Sequence, residues 1–278
     1  MARPIITLTT DFGLADGFVP SMKGVIATIA PEANVVDVTH DVPPQDVRYG
    51  AYALGSTYRY FPADAIHVAV IDPGVGTRRR PIAVRTGHGT FVCPDNGLLS
   101  YVIADTGARV EREPFAPGRV PPPTKWLAYQ LTKEQYWLHP LSSTFHGRDI
   151  FAPAAAHLAN GTPLHDLGIG VIDLAAFALP EPREEPGTAI GQVIHIDRFG
   201  NLITNLRQAH LPAAPLRVQV ASQVIDGLSK TYQDNVDVLA LIGSGGTLEI
   251  AFPNANAAKT LGVIMGDAVR VSTAVSPR

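Results

Sequence analysis

Three short runs of apolar and β-branched residues constrain the fold of this chain most strongly, because each ends in a loop that contains aspartate. The runs, with the residues that follow them, are Ile5–Thr9 with Thr10-Asp11, Val35–Thr39 with His40-Asp41, and Ile66–Ile71 with Asp72-Pro73. Runs of this length and composition predict buried strands. Apolar residues at helical spacing from Phe18 to Ile29 follow the first run, so the order predicts βαβ units and a mainly parallel sheet.

Polar side chains stand at the end of each predicted strand. Parallel strands end at the same edge of a sheet, and open α/β sheets bind their ligands at that edge. The aspartates that follow the three strands are therefore predicted to lie close together, and this edge is the first place to expect a binding site.

Further elements complete the first part of the chain. Ile82–Arg85 and Thr90–Cys93, joined by a four-residue turn, predict a hairpin added to the sheet. A second helix is predicted to begin near Asp46. Another helix is predicted to be capped by Asp149 and to end at Asn160.

A proline-rich segment predicts the domain boundary. Pro180–Gly187 combines three prolines with a charge cluster, which is typical of a linker. Residues 1–179 are then expected to form an α/β domain around the central sheet. Residues 188–278 contain short strand patterns separated by glycine-rich turns, which predict a smaller all-β, barrel-like domain. The predicted strands are Val193–Ile196, Leu216–Val220, Val236–Leu241, Leu248–Phe252 and Ala268–Ser272.

The composition favours a small-molecule partner and a cytoplasmic location. The chain has 278 residues, a net charge of -3 and one cysteine, Cys93, which cannot form an internal disulfide. Its longest basic run, Arg78–Arg80, is too short for the footprint of a nucleic-acid partner. Its apolar runs are far shorter than the roughly 20 residues that span a bilayer, so no membrane partner is expected.

Two acidic loops and one histidine are candidate functional groups in the first domain. Asp11 at a strand end could accept hydrogen bonds from a sugar diol, or it could form a helix cap or Asx-turn. The segment Asp72–Thr77, followed by three arginines, is either a tight turn or a ligand-binding loop. His146 precedes Gly147 in a polar loop, where it could be structural or could transfer protons near neutral pH.

No metal or cofactor is expected. His40-Asp41 could bind a metal together with another aspartate, but no compact two-histidine motif supports this. In the second domain, the segments Asp197–Asn201, Gly243–Gly246 and Pro253–Asn256 could be simple turns. Their aromatic, amide and carboxylate groups would also suit a purine or an amino-acid ammonium group.

Six motifs, in order along nearly the whole chain, resemble those of the SAM hydroxide adenosyltransferase family, whose relatives include the SAM-dependent fluorinases and chlorinases. The motifs are Thr9-Thr10-Asp11-Phe12-Gly13, Val36-Asp37-Val38-Thr39-His40, Ile71-Asp72-Pro73-Gly74-Val75-Gly76-Thr77, Pro94-Asp95-Asn96-Gly97-Leu98, Ser143-Thr144-Phe145-His146-Gly147-Arg148-Asp149 and Asp197-Arg198-Phe199-Gly200-Asn201. Each motif alone is weak, and the set together is highly specific.

The resemblance implies a fold, an assembly and a set of site residues. It implies an N-terminal α/β domain, a C-terminal β-barrel and a homotrimer, with each SAM site between one subunit's N-domain and its neighbour's C-domain. Asp72, Arg79 and His146 match the family's catalytic set, Arg79 being the arginine whose spacing fits best. The residues that match substrate contacts are Asp11 at the ribose, Asp197 and Ser244 near the methionine part, Asn201 at the adenine side, and Glu249 and Phe252 near the nucleoside.

Departures from the halogenases point to the branch of the family that uses water. The resemblance places a fluorinase tyrosine at the position of Asp72 and a tyrosine-serine pair at His146-Gly147. That serine contacts halide, and Gly147 offers no hydroxyl. The long loop that fluorinases insert between two strands is here the short turn Thr86–Gly89.

The expected function is hydrolysis of SAM to adenosine and L-methionine by in-line attack of an activated water on C5'. The alternatives are a chlorinase-like halogenase and a non-catalytic module that binds SAM or adenosine. A metal-dependent hydrolase is a more distant third. The sequence leaves the sulfonium epimer open, although some members of the family are described as preferring the R epimer, which methyltransferases cannot use.

Overall fold

A computed structural model describes residues 3–213 and 215–274 of the chain. The chain divides into two compact units between Leu179 and Pro180. The predicted linker, Pro180–Gly187, begins the second unit. Part of this segment is regular, because Arg183–Glu185 forms a short strand that pairs antiparallel with the strand after it.

The first unit alternates strands and helices over its first half and then adds shorter pieces. Its strands are β1 (Ile5–Thr10), β2 (Asn34–Thr39), β3 (Ile66–Val70), β4 (Pro81–Thr86), β5 (Gly89–Pro94), β6 (Pro117–Val120), β7 (Leu127–Leu131), β8 (Gly168–Gly170) and β9 (Leu174–Phe177). Its α-helices are α1 (Phe18–Ile29), α2 (Val47–Thr57), α3 (Ser100–Ala104) and α4 (Ala152–Ala159). Short 3-10 helices cover Tyr58–Tyr60, Glu134–Tyr136 and Leu164–Leu167.

Seven of these strands form one mixed sheet in the order β2-β1-β3-β5-β4-β7-β8. The first four are mutually parallel, and the remaining pairs are antiparallel. The prediction of a sheet with a parallel centre and an added β4-β5 hairpin is therefore confirmed. Strands β1, β2 and β3 end at the same edge, which brings their loops together.

Helices cover both faces of this sheet. On one face, α1 packs through Met22 and Ile26, and α4 through Ala155, against the strands. On the other face, α2 and α3 pack through Leu54 and Val102. Strands buried on both sides need apolar residues in continuous runs rather than in alternation, which explains the sequence pattern of β3.

The start of α4 differs from the prediction. Asp149 does not cap this helix; it lies within a π-helical turn, Gly147–Phe151, that precedes α4. Its fully buried carboxylate accepts a hydrogen bond from the backbone N–H of Ser142 at 2.8 Å and pairs with Arg148. Asp149 therefore anchors the preceding loop instead of the helix end.

The second unit is an antiparallel sheet with one short helix. Its strands are β10 (Arg183–Glu185), β11 (Thr188–Ile196), β12 (Leu202–Arg207), β13 (Leu216–Val220), β14 (Gln223–Asp226), β15 (Leu239–Ile242), β16 (Thr247–Ala251) and β17 (Ala268–Thr273), and its helices are the 3-10 turn Gln208–His210 and α5 (Ala257–Leu261). The sheet order is β14-β13-β17-β11-β12-β16-β15, with β10 on β11. The first part of β11 pairs with β17 and its last part with β12, so the sheet curls into a barrel-like form, as predicted.

Strands β12 and β14 and helix α5 are among the elements of the second unit that lie outside the predicted strands. β12 and β14 have no long β-branched run, and they are held by pairing with β16 and β13. Helix α5 begins directly after the segment Pro253–Asn256, and the Asn256 side chain caps it by accepting a hydrogen bond from Lys259 N at 2.8 Å. In the part of the chain described, no helix is long and apolar enough to cross a bilayer.

A buried histidine lies in the centre of the first sheet. His67 on β3 is 1% exposed and stacks on the Phe91 ring. Its Nδ1 is hydrogen-bonded to the Thr7 hydroxyl at 3.0 Å. Burial lowers the pKa of His67 to about 4. The ring is therefore neutral in the folded protein at neutral pH, since a charge there would lose its hydration.

This burial predicts a specific acid sensitivity. Between about pH 6.5 and 4 the unfolded chain binds a proton at His67 that the folded protein does not, so the free energy of unfolding should fall as the pH is lowered. The expected loss is about 3 kcal/mol from this residue. Urea unfolding at several pH values measures it. His67→Gln should flatten the dependence and exposed His165→Asn should not; equal slopes in both variants would contradict the assignment.

Candidate active site

The loops that follow β1, β2 and β3 enclose a pocket of about 280 Å³ together with the segment before α4. Its walls combine two carboxylates, one histidine, two aromatic rings and several backbone groups. The lining residues are Asp11, Phe12, Pro44, Gln45, Asp72, Pro73, Val75, Thr144, Phe145, His146 and Gly147. Three of the residues proposed from sequence, Asp11, Asp72 and His146, therefore share one pocket.

A buried ion pair forms the back of this pocket. Arg79 Nε donates to Asp72 Oδ1 at 2.9 Å, and Arg79 Nη2 donates to Asp72 Oδ2 at 2.5 Å. The side chains are only 10% and 5% exposed, and the guanidinium also lies over the Phe151 ring. Two parallel hydrogen bonds fix the carboxylate plane, which a single-point contact with lysine could not do.

The other two arginines of the run face elsewhere. Arg80 donates to Asp95 and Asp173, which Arg119 also contacts, and so joins the start of β4 to the end of β5 and the start of β9. Arg78 is exposed. Of the three arginines, Arg79 is thus the one in contact with the carboxylate of Asp72.

His146 extends the ion pair toward the pocket. Arg79 Nη2 lies 2.7 Å from His146 Nδ1, and a guanidinium can only donate, so Nδ1 is the acceptor. In the neutral ring the proton is then on Nε2. Burial lowers the pKa of His146, the positive charge of Arg79 lowers it further, and Asp72 opposes both effects. The arrangement presents a neutral imidazole that has one N–H to donate.

Asp11 stands across the pocket from this group. Its Oδ2 accepts a hydrogen bond at 2.7 Å from the backbone N–H of Gln45, a residue held at a positive φ of 65°. Burial raises the pKa of Asp11, the Gln45 N–H opposes the rise, and the charge of Asp72 adds to it. A partly buried carboxylate with free acceptor capacity suits the hydroxyl donors of a sugar.

The remaining pocket walls are tightly packed. Gly76 has a φ of +76°, and a Cβ there would lie 2.4 Å from the carbonyl oxygen of Ser143, so glycine lets the two loops approach. A Cβ on Gly147 would lie 3.2 Å from Phe12 and from Met22. Phe12 also packs edge-on against Phe145 with centroids 5.8 Å apart. The aromatic side of the pocket therefore leaves little room for added atoms.

The charges of the pocket favour a cation. Asp11 and Asp72 each carry a negative charge when ionised, and Arg79 compensates one of them. Because the pKa of His146 is lowered, the ring adds no positive charge at neutral pH. The remaining negative charge attracts a positively charged ligand group.

A second pocket, of about 620 Å³, lies on the second unit. It is lined by Asp197, Phe199, Asn201, Tyr232, Phe252, Pro253, Asn254, Ala255 and Asn256. Asp197 Oδ1 accepts from the backbone N–H of Phe199 and of Asn201, and its Oδ2 accepts from the Asn201 amide, each at 2.9 Å. These bonds hold a tight loop that presents the exposed Phe199 ring, whereas Asn201 is only 8% exposed.

The other proposed residues of this unit differ in position. Phe252 lines the pocket, and Glu249 lies behind it, where its Oε2 accepts a hydrogen bond from Tyr232 at 2.9 Å. Burial raises the pKa of Glu249, and burial followed by the Glu249 contact raises that of Tyr232 to about 12. Ser244 is exposed in the turn between β15 and β16, outside the residues that line this pocket.

Gln45 and Tyr232 are among the lining residues that were not identified from the sequence. Gln45 contributes a backbone N–H, and the type of a residue does not indicate what its backbone N–H will bind. The two prolines that precede Gln45 were the only sequence sign of an unusual turn. Tyr232 is an aromatic residue in a polar stretch without strand periodicity, which is a weak sign of a surface role. Across residues 3–213 and 215–274, no group of three or more His, Cys, Asp and Glu side chains is arranged to hold a metal ion.

Comparisons with known proteins agree on one family. The sequence model of the SAM hydroxide adenosyltransferase N-terminal domain matches residues 6–168, and that of the C-terminal domain matches residues 191–270. A protein of Salinispora arenicola named (R)-S-adenosyl-L-methionine hydrolase is 42% identical over 98% of both chains. An Actinoplanes protein named fluorinase is 30% identical over 81% of this chain and 80% of its own. The crystal structure of an uncharacterized conserved protein from Thermotoga maritima matches with a TM-score of 0.83 and 31% identity, over 96% of this chain and 99% of that one.

The contact between Arg79 and His146 predicts the response of the imidazole to loss of the arginine. In Arg79→Met the pKa of His146 should rise, because the nearby positive charge disappears and the negative charge of Asp72 is no longer neutralised. NMR titration of the His146 ring protons measures this shift. Arg78→Met, which removes an exposed charge one residue away, is the matched control. A pKa of His146 that stays the same or falls in Arg79→Met would contradict the geometry.

Proposed function

This chain belongs to the SAM hydroxide adenosyltransferase family, and on that premise we propose that it hydrolyses S-adenosyl-L-methionine to adenosine and L-methionine. The substrate is the R sulfonium epimer, in keeping with the name of the relative that is 42% identical. The observation that carries the proposal is the Asp72-Arg79-His146 group at the sheet edge, beside a glycine instead of a hydroxyl at position 147.

Asp72 and His146 have distinct roles toward the attacking water. The Nε2–H of His146 donates to the water oxygen, because Nδ1 is already occupied by Arg79. Each oxygen of Asp72 accepts from Arg79 and keeps further acceptor capacity, so the carboxylate takes the water proton as the C–O bond forms. Asp72 is therefore the general base, and His146 orients the water.

The leaving group requires little help. A sulfonium departs as a neutral thioether, so no metal or cofactor is needed to activate it. Attack by hydroxide on a cation also removes charge in the transition state, and a pocket that excludes bulk water favours such a step. The packed aromatic wall of Phe12 and Phe145 limits that access. Holding the water in line with C5' provides the rest of the rate enhancement.

The parts of the substrate are assigned to residues of the two pockets. Asp11 binds the ribose hydroxyls, and the net negative charge beside it attracts the sulfonium. On the second unit, Asn201 binds the adenine edge, with Phe252 and Glu249 near the nucleoside. Asp197 and Ser244 lie toward the methionine part. The partner is thus a small molecule with water as co-substrate. With its single cysteine the protein suits the cytoplasm.

A halogenase is the alternative that the same scaffold allows. A halide bound at the position of the water would face the carboxylate of Asp72, which repels it, and would find no hydroxyl at Gly147. Both features favour water over halide. A non-catalytic SAM-binding module would not need a general base held by two hydrogen bonds.

Isotope labelling distinguishes these functions. The purified protein is incubated with each SAM epimer in oxygen-18 water, with and without chloride, and the products are analysed by mass spectrometry. We expect adenosine with one labelled oxygen at C5', unlabelled methionine, and no dependence on chloride. Dialysis against a chelator should leave the rate unchanged. A 5'-chloro nucleoside, or SAM that binds without turnover, would overturn the proposal.

The active site is completed by a second subunit. The pocket of about 280 Å³ on the first unit lies just below the roughly 300–1,000 Å³ usual for ligand sites, so it is small for all of SAM. The pocket on the second unit supplies further binding groups, the Asn201 amide and the rings of Phe199 and Phe252. The chain is proposed to form a homotrimer in which the second unit of one subunit covers the first unit of its neighbour.

Subunit complementation tests this assembly and the assigned residues together. Asp72→Asn should lower kcat by about 100- to 10,000-fold while SAM still binds, because the base is lost. Asn201→Ala should raise KM. Co-expressed in equal amounts, the two variants should form mixed trimers in which about a quarter of the sites combine two intact halves. Recovery of kcat/KM toward that fraction is expected, and no recovery would mean that each site is built from one chain.

A further inference from the structure

We propose that His40 is a positioning residue for Asp11, acting through the side chain of Thr10, and that it thereby sets recognition of the ribose hydroxyls. This inference rests on the proposed function, because it assigns Asp11 to the ribose. It concerns two side chains that do not line the pocket and that the mechanism above does not use.

A chain of hydrogen bonds joins His40 to the turn that carries Asp11. The hydroxyl of Thr10 lies 2.8 Å from His40 Nδ1, and the same hydroxyl accepts a hydrogen bond at 3.3 Å from the backbone N–H of Phe12. The backbone N–H of Gly13 donates to the carbonyl oxygen of His40 at 2.8 Å. The residues on both sides of Asp11 are thus held by one residue of the neighbouring strand end.

The contact on the opposite side of the imidazole determines whether Thr10 or His40 donates in the hydrogen bond between them. His40 Nε2 lies 3.1 Å from Asp37 Oδ1, and Lys23 Nζ donates to Asp37 Oδ2 at 2.6 Å. Burial raises the pKa of Asp37, but the contacts with Lys23 and His40 outweigh it, so the carboxylate is more acidic than usual. An ionised carboxylate can only accept a proton, so the approach of Asp37 to Nε2 favours the tautomer with the ring proton on Nε2. Nδ1 then accepts the proton of Thr10, whose oxygen keeps a lone pair for Phe12.

The same segment also holds the carboxylate itself. Gln45, five residues after His40, donates its backbone N–H to Asp11 Oδ2. Its positive φ of 65° is a conformation that non-glycine residues rarely adopt, and such residues concentrate at functional sites. The loop from His40 to Gln45 therefore fixes both the backbone and the side-chain direction of Asp11.

The protein contains a second buried threonine-histidine hydrogen bond that is not connected to the Asp11 turn, and it serves as a control. Thr7 and His67 form the same kind of buried threonine-histidine hydrogen bond, at 3.0 Å, three residues earlier on β1. Both threonines are fully buried. The Thr7 pair lies within the sheet, whereas the Thr10 pair reaches the loop at its edge. Comparing the two separates loss of a buried hydrogen bond from loss of the position of Asp11.

The experiment compares substrates with and without the ribose 2'-hydroxyl. Thr10→Val keeps the side-chain shape and removes the hydroxyl, Thr10→Ser retains it, and Thr7→Val is the control. The assay measures kcat and KM for SAM and for its 2'-deoxyribose analogue. In Thr10→Val we expect KM for SAM to rise and the preference in kcat/KM for SAM over the analogue to fall by about tenfold, the effect of one lost hydrogen bond. Thr10→Ser and Thr7→Val should keep the wild-type preference.

A purely structural role predicts a different result. If Thr10→Val lowers kcat/KM equally for both substrates, as Thr7→Val would through stability alone, the proposal is wrong. If Thr10→Val does not fold, His40→Asn and His40→Leu carry the test, since only asparagine can accept the proton of Thr10. The preference in kcat/KM for SAM over the 2'-deoxyribose analogue must then be retained in His40→Asn and fall in His40→Leu.

Binding measurements separate this inference from the proposed function. Calorimetry with adenosine and 2'-deoxyadenosine needs no turnover. Should the wild-type protein bind adenosine without hydrolysing SAM, the proposed function fails, and the loss of ribose preference in Thr10→Val still decides the role of His40. Should the wild-type protein hydrolyse SAM and Thr10→Val keep its full preference for the 2'-hydroxyl, only the inference fails.

Discussion

The ion pair between Arg79 and Asp72 is the interaction on which the site depends. Removing both charges from water is costly, and the cost is offset only because two well-aligned hydrogen bonds join them. With its remaining Nη2–H the same guanidinium fixes the tautomer of His146 and keeps it uncharged. One arginine thus fixes the direction of the Asp72 carboxylate, the tautomer of His146 and the charge of the pocket.

The sheet determines where that ion pair can stand. Because β1, β2 and β3 are parallel, their carboxyl ends place Asp11, His40 and Asp72 at one edge, although they are far apart in sequence. Arg80 anchors the strand that follows the Asp72 loop by binding Asp95 and Asp173. The two adjacent arginines therefore have different roles. Arg79 contacts Asp72 and His146 in the pocket, and Arg80 anchors the strand next to it.

In the proposed function, the choice of nucleophile follows from the sign of the charge that residue 72 brings to the pocket. A carboxylate at position 72 accepts a proton and repels an anion, so it suits water as the nucleophile. The resemblance to the fluorinases places a neutral tyrosine there and a serine at position 147, which suits halide. The fold can remain the same because these are changes within the loops at the sheet edge, where side chains can vary without disturbing the packed strands.

The sequence by itself determined the order of the buried strands, the helices α1 and α2 and the positions of Asp11, Asp72 and His146, because burial and periodicity are local properties of the chain. The resemblance pointed to Arg79 by its spacing, but only the tertiary structure shows that Arg79 contacts Asp72, since three consecutive side chains point in directions that depend on how the strand is placed. The tertiary structure also decided that Asp149 anchors a loop rather than a helix, and that a backbone N–H of Gln45 holds Asp11. Those contacts join residues distant in sequence, and no local pattern encodes the distance between them.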